Sequence, residues 1–113
     1  MKDSFLGFIQ DQFSCLGPIS IRKMFGGAAI SLEGLTFGII IDEKVYLKVD
    51  DTNRADFEEQ EMGPFTYEAK GNKQVSMSYY ELPEDVLLDM DDLLPWANKA
   101  FEVAKRAAVK KTT

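Results

Sequence analysis

Apolar residues recur along the chain with two different periods, and the switches between them divide it into elements. Phe5, Ile9, Phe13 and Leu16 stand at i, i+4, i+8 and i+11, the spacing of one helical stripe. Asp3 or Ser4 offers a side-chain oxygen to cap the free N–H groups at the start. Gly17-Pro18 stops the helix, because glycine accepts a left-handed backbone there and proline cannot continue a helix.

After Pro18 the period becomes two. Ile19 and Ile21 alternate with Ser20 and Arg22. Ala28, Ile30 and Leu32 then face one way, and Ala29, Ser31 and Glu33 the other. Beyond the turn at Gly34, Leu35, Phe37, Ile39 and Ile41 form an apolar face, with Thr36, Gly38 and Ile40 opposite. Asp42-Glu43 is a short break, and Val45, Leu47 and Val49 alternate with Lys44, Tyr46 and Lys48. Breaks this short leave no room for crossover helices, so the spacing predicts an antiparallel meander of four strands.

Residues 50–61 are polar apart from Ala55 and Phe57, and Asp51 or Thr52 can cap a short helix there. Gly63-Pro64 ends it. Phe65, Tyr67 and Ala69, then Val75, Met77 and Tyr79, alternate with polar neighbours around Gly71-Asn72, which reads as a hairpin. Pro83, with Glu84 and Asp85 behind it, opens a short helix. Asp91 or Asp92 caps a last helix with Pro95 in its first turn. Its stripe is Leu93, Trp96, Ala97, Ala100, Phe101, Ala104, Ala107 and Ala108, and Trp96 is expected to pack it onto the sheet. The order α-β4-α-β2-α-α predicts a single α+β domain over residues 1–113, its antiparallel sheet covered by helices on one face. Residues 110–113 are expected to fray.

Composition narrows the chemistry. The chain has 113 residues, the size of one domain. Its 13 basic and 19 acidic residues give a net charge of −6, which disfavours binding to nucleic acid, since phosphate contacts need clustered cations. Histidine is absent, which removes the commonest general base and the usual nitrogen ligand for metals. Cys15 is the single cysteine, so neither an intrachain disulfide nor a multi-thiolate zinc site is expected, and packing is its expected role. The first residues carry Lys2, Asp3 and Asp11 and no long apolar run, so neither a signal peptide nor a membrane span is expected and the cytoplasm is the expected location. Charge is uneven: Lys99, Lys105, Arg106, Lys110 and Lys111 stand against Glu102 alone. That basic end suits either an acidic partner or the dipole of a helix C-terminus.

Arg22-Lys23-Met24-Phe25-Gly26-Gly27 is the most unusual local sequence. Two cations beside two glycines fit a small anion or partner site. They equally fit a twisted hairpin with one cation paired to an acid, the glycines serving close backbone approach or positive φ. The acidic pairs, Asp42/Glu43 among them, sit at predicted turns and caps, and no calcium-loop spacing occurs. Of Tyr79 and Tyr80, adjacent on a strand, one must face away from the other. Tyr80 is either an exposed recognition residue or lies beneath the C-terminal helices.

Taken together, Arg22 to Gly27, Phe37, Val45-Tyr46-Leu47-Lys48-Val49-Asp50, Pro64-Phe65-Thr66-Tyr67, Met77-Ser78-Tyr79-Tyr80, Leu82-Pro83-Glu84 and Leu94-Pro95-Trp96-Ala97 resemble the TfoX N-terminal domain family (TfoX/Sxy) over residues 15 to 108. The resemblance implies an α+β fold close to small secretion-chaperone-like domains, which often dimerise. Full-length members regulate competence genes in bacteria together with the cyclic-AMP receptor protein, and carry a second unit resembling a helix-hairpin-helix DNA-binding domain. This sequence ends at Thr113, before any such unit, so direct transcriptional regulation is not expected of these residues alone. The family carries no established catalytic set to transfer.

The expected function is therefore a non-enzymatic regulatory or interaction domain acting on a protein partner, with transcription machinery the partner class the family implies. The alternatives are a small-ligand or anion-binding protein using Arg22 to Gly27, and a chaperone-like dimer. The candidate interaction residues are Arg22, Lys23, Phe25, Gly26, Gly27 and Tyr80; no catalytic, cofactor-binding or metal-binding residue is assigned. A homodimer is expected through Ile40 and Tyr46.

Overall fold

The computed structural model describes residues 3–24, 26–69, 71 and 73–112, with backbone alone at 67–69, 73–77 and 110–112. The elements are α1 (Asp3–Phe13), β1 (Ser20–Met24), β2 (Gly27–Leu32), β3 (Leu35–Ile41), β4 (Lys44–Lys48), α2 (Arg54–Glu59), β5 (Pro64–Ala69), β6 (Lys73–Glu81), α3 (Glu84–Leu88) and α4 (Met90–Thr112). This is the α+β order that the hydrophobic periods predict. The six strands form one antiparallel sheet in the order β1-β2-β3-β4-β6-β5. By way of α2 the chain crosses from β4 to the far edge, and the last hairpin joins the meander by its second strand: Leu47 lies beside Tyr80 and Tyr46 beside Glu81.

One core lies between the sheet and the helices. Ile9 and Phe13 of α1, Phe57 of α2, Leu87 of α3 and Leu93, Ala97, Ala100, Phe101 and Ala104 of α4 are buried against Ile30, Phe37, Ile40, Val45 and Leu47. The Phe37 ring sits between those of Phe13 and Phe101, at centroid distances of 5.9 and 6.1 Å. Trp96 is half-buried against the core and meets Phe57 of α2 edge-on at 4.8 Å, so the packing partner it shows is that helix. Among the described residues no helix is long and apolar enough to cross a membrane.

A β-bulge changes the facing of β3. Ile30 pairs with Gly38 and Ser31 with Thr36, which leaves Phe37 as the extra residue. An extra residue reverses the alternation beyond it. Leu35, Phe37 and Ile40 therefore all point to the helices, and Ile40 is fully buried in the core. Ile39, expected on the helix side, lies outside that core, on the opposite face. The expected dimer contact through Ile40 is thereby corrected: its side chain is inside the monomer.

Two helix starts also differ from expectation. In α4 the cap is Asp89, whose Oδ1 accepts the N–H groups of Asp91 and Asp92 at 2.9 and 3.3 Å. The helix, Met90–Thr112, thus begins before those residues and places Pro95 in its second turn. Ahead of α2 the buried polar residue is Asn53: its Oδ1 accepts the Asp50 N–H at 2.9 Å and its Nδ2 donates to the Lys48 carbonyl at 3.1 Å. Asp51 and Thr52 do not cap that helix; its N-cap position is Asn53 itself.

Candidate functional site

The first candidate is the β1–β2 hairpin. Met24 pairs with Gly27, and Gly26 stands in the turn between β1 and β2; Phe25 lies outside the described residues. Gly26 has φ +79°, the left-handed backbone that such tight hairpins need and glycine adopts without strain. Gly27 serves a different purpose: a Cβ there would stand 2.1 Å from the Ile40 carbonyl oxygen. Both glycines are thus accounted for by the course of the backbone.

The two cations do not converge. Lys23 reaches Asp3 at the start of α1, 3.0 Å away, with both groups exposed. Arg22, one residue earlier on the strand, faces the other side of the sheet beside Ala29, and makes no ion pair among the described residues. Strand alternation alone carries this signal. A cleft of about 660 Å³ lies at this end of the sheet, lined by Lys23, Met24, Gly26, Gly27, Asp42 and Glu43. With its one lysine paired and two acids on its wall, it does not suit an anion.

Tyr80 lies on the helix side, its ring 5.8 Å from that of Phe57 and half-buried against the core. Its neighbour Tyr79 faces the other way, with the Lys48 ammonium 5.0 Å from its ring centroid. Burial raises the Tyr79 hydroxyl pKa. At that end of the sheet, α4 runs close by: Ala104, Ala107 and Ala108 share a groove with Lys48 and Tyr79.

Away from α4, none of the described helices packs on the face of the sheet opposite the core, hereafter the open face. One ladder crosses it through Arg22, Ala29, Ile39, Tyr46 and Glu81. Ala29 and Ile39 are buried although neither belongs to the helix-packed core; they form the floor between taller neighbours. Tyr46 is half-buried, with the Phe65 ring edge-on at 5.3 Å. Its hydroxyl pKa is raised, first by burial and then by the charges of Glu81 and Asp42. The next row holds Met24, Gly27, Ile41 and Lys44, and Met24 is 53% exposed. Sequence reasoning did not assemble this surface, because the unseen bulge moved Ile39 and Ile41 onto it.

The basic C-terminal end is tied inward. Arg106 grips Asp50 through its Nε and Nη2, each 3.2 Å from Oδ2, and also donates to the Thr52 hydroxyl. Burial pushes the Asp50 carboxyl pKa up, but hydrogen bonds from Thr52 and the Arg106 guanidinium outweigh it and leave the pKa below its ordinary value. Lys99 pairs with Asp56 at 2.7 Å and Lys105 with Glu102 at 3.2 Å. Cys15 is exposed rather than packed, its thiol 3.3 Å from the Gln12 carbonyl oxygen. Among the described residues no three His, Cys, Asp or Glu side chains cluster to hold a metal ion.

The family model of the TfoX N-terminal domain matches residues 11–104. The chain belongs to this family. The match begins in α1 and ends in α4, so the TfoX N-terminal domain takes in the whole sheet, both of its faces and the Arg22 to Gly27 hairpin. The comparison with curated proteins finds no match.

Proposed function

We propose that this TfoX N-terminal domain is a non-enzymatic, regulatory interaction domain of the bacterial cytoplasm, and that it works through protein contacts made by the open face of its sheet. One observation carries this reading. The helices bury one face of the sheet, while the other presents Met24, Ile41, Tyr46 and Phe65 around a floor of Ala29 and Ile39. Aromatic and methionine side chains around an apolar floor suit a protein contact more than a reaction centre. The chain's lack of histidine and the divergence of Arg22 from Lys23 also speak against catalysis and anion capture. Transcription machinery is the partner class that family membership suggests. Direct DNA binding is not, since most cations of the basic end are already paired and the body is acidic.

A photo-crosslinking residue placed at Tyr46, compared with one at the exposed Glu59 of α2, tests this in cells. Protein adducts from position 46 and none from position 59 are expected. Adducts from 59 with none from 46 would move the contact surface to the helices and end this reading.

A further inference from the structure

We propose that the open face receives a second copy of this chain, the two sheets stacking about a two-fold axis that runs along β3 with Ile39 upon it. The proposal rests on the reading of that face as a contact surface and names its occupant. It follows from the order of side chains along one ladder. Arg22 stands at one end on β1, and Glu81 at the other on β6, with Ala29, Ile39 and Tyr46 between them on β2, β3 and β4. Neither Arg22 nor Glu81 has an ion-pair partner among the described residues. Rotation about β3 exchanges the two sides of the ladder. It brings Arg22 of each copy over Glu81 of the other, and Tyr46 of each over the other's Ala29.

Charge and shape agree on this register. The outward residues of β2 are Gly27, Ala29 and Ser31, while those of β4 include Lys44 and Tyr46. The face is therefore low on one side of β3 and tall on the other, and two such steps nest only when one is turned about β3. A two-fold axis lying across the strands would instead set Arg22 over Arg22 and Tyr46 over Tyr46. Four strand spacings of about 4.8 Å separate Arg22 from Glu81, so two ion pairs roughly 19 Å apart would flank the apolar centre. Stacked sheets of this kind cross at about −30° because each is twisted, so the axis bisects the crossing of the two β3 strands and lies about 15° from each. The contact is isologous, the form that closes at two copies.

The test is a charge exchange on the purified chain, read by sedimentation equilibrium at low salt, where screening is least. The unaltered chain is expected to dimerise at micromolar concentration. Arg22→Glu alone and Glu81→Arg alone should each weaken the dimer at least about tenfold, because each sets like charges face to face. The double variant Arg22→Glu/Glu81→Arg should restore it. Ala29→Arg, which fills the low side of the step, should abolish the dimer and leave a folded monomer by thermal melting. It stands in should a charge reversal fail to fold. A chain that stays monomeric to about 100 μM, a concentration covering weak affinities, would overturn the proposal. So would a dimer indifferent to the single reversals, or one that the double variant does not restore. A monomer that still forms adducts from position 46 in cells would discard the second copy as occupant and keep the open face as a contact surface.

Discussion

On the helix-covered face of the sheet, Ile30, Phe37, Ile40 and Leu47 are wholly buried by side chains arriving from α1, α2 and α4. On the open face, Ala29 and Ile39 are also buried, at 8% and 6% exposure, although neither belongs to the helix-packed core. The covered side is shaped by its partners: Phe13, Phe37 and Phe101 interlock ring against ring, and a change of volume there is felt by every neighbour. The open side keeps a step between the small outward residues of β2 and the tall ones of β4. A monomer needs no such fit on its outside. The difference between the faces thus separates what the fold requires from what a partner would require.

Substitution of adjacent isoleucines breaks this comparison most sharply. Ile40→Asp places a carboxylate in the core and should cost more than about 4 kcal/mol, leaving the chain unfolded in a urea titration. Ile41→Asp, one residue on and facing outward, should cost about 1 kcal/mol or less when measured on dilute monomer. Equal losses at the two positions would mean that the bulge at Phe37 does not reverse the strand. Next in size is Gly27→Ala. Its Cβ meets the Ile40 carbonyl oxygen at 2.1 Å, so β2 and β3 must part, at about 3 kcal/mol by the scale of overpacked sites. Gly26→Ala, where open space surrounds the site and φ +79° is the obstacle, should cost about 1 kcal/mol. Melting curves of the pair would show whether the hairpin's two glycines have the separate roles described above.

Much of this was legible in the sequence. The switch of period at Pro18 and the turn residues that follow mark every element, and the Gly26-Gly27 pair carried both reasons that the structure assigns to it. What was hidden has a physical cause in each case. Ile39-Ile40-Ile41 is apolar at every position, so alternation has no phase to read and a bulge leaves no trace. Strand order is a tertiary property, and nothing local says that β6 rather than β5 will lie beside β4. Asp89, Asp91 and Asp92 stand close enough to compete as caps, and the earliest wins because α4 gains a turn by it. Tyr80 could be placed only once α2 was known to set Phe57 over it. The open surface combines residues from β1 to β6 and was beyond reach without the register.

Trp96 tests the edge of the covered side. Its indole packs on Phe57 but remains half-exposed, so Trp96→Ala should cost about 2–3 kcal/mol, below or at the foot of the range for fully buried aromatics. Phe57→Ala, on a ring that is fully buried, should cost about 3–5 kcal/mol. A larger loss at Trp96 than at Phe57 would make the indole, and not Phe57, the main anchor between α2 and α4.

The smallest expected effect concerns the far end of α4, where it is held by charge. The Asp50 carboxyl titrates below its ordinary value in the folded chain: burial opposes ionisation, and Thr52 and Arg106 outweigh it. A carboxyl whose folded pKa is lowered stabilises the fold above its unfolded pKa, and that contribution is lost as pH falls through the folded pKa. The window therefore opens near the ordinary aspartate range and extends to more acid pH. Asp50 and Arg106 are both partly exposed, so solvent and salt screen the pair and its worth at neutral pH is about 0.5–1 kcal/mol. Arg106→Gln should remove about that much at pH 7 and less in the acid window, so that the two stability curves converge as pH falls. A constant gap down to acid pH would show that Arg106 acts through the packing of its aliphatic stem on α4 and not through the Asp50 charge.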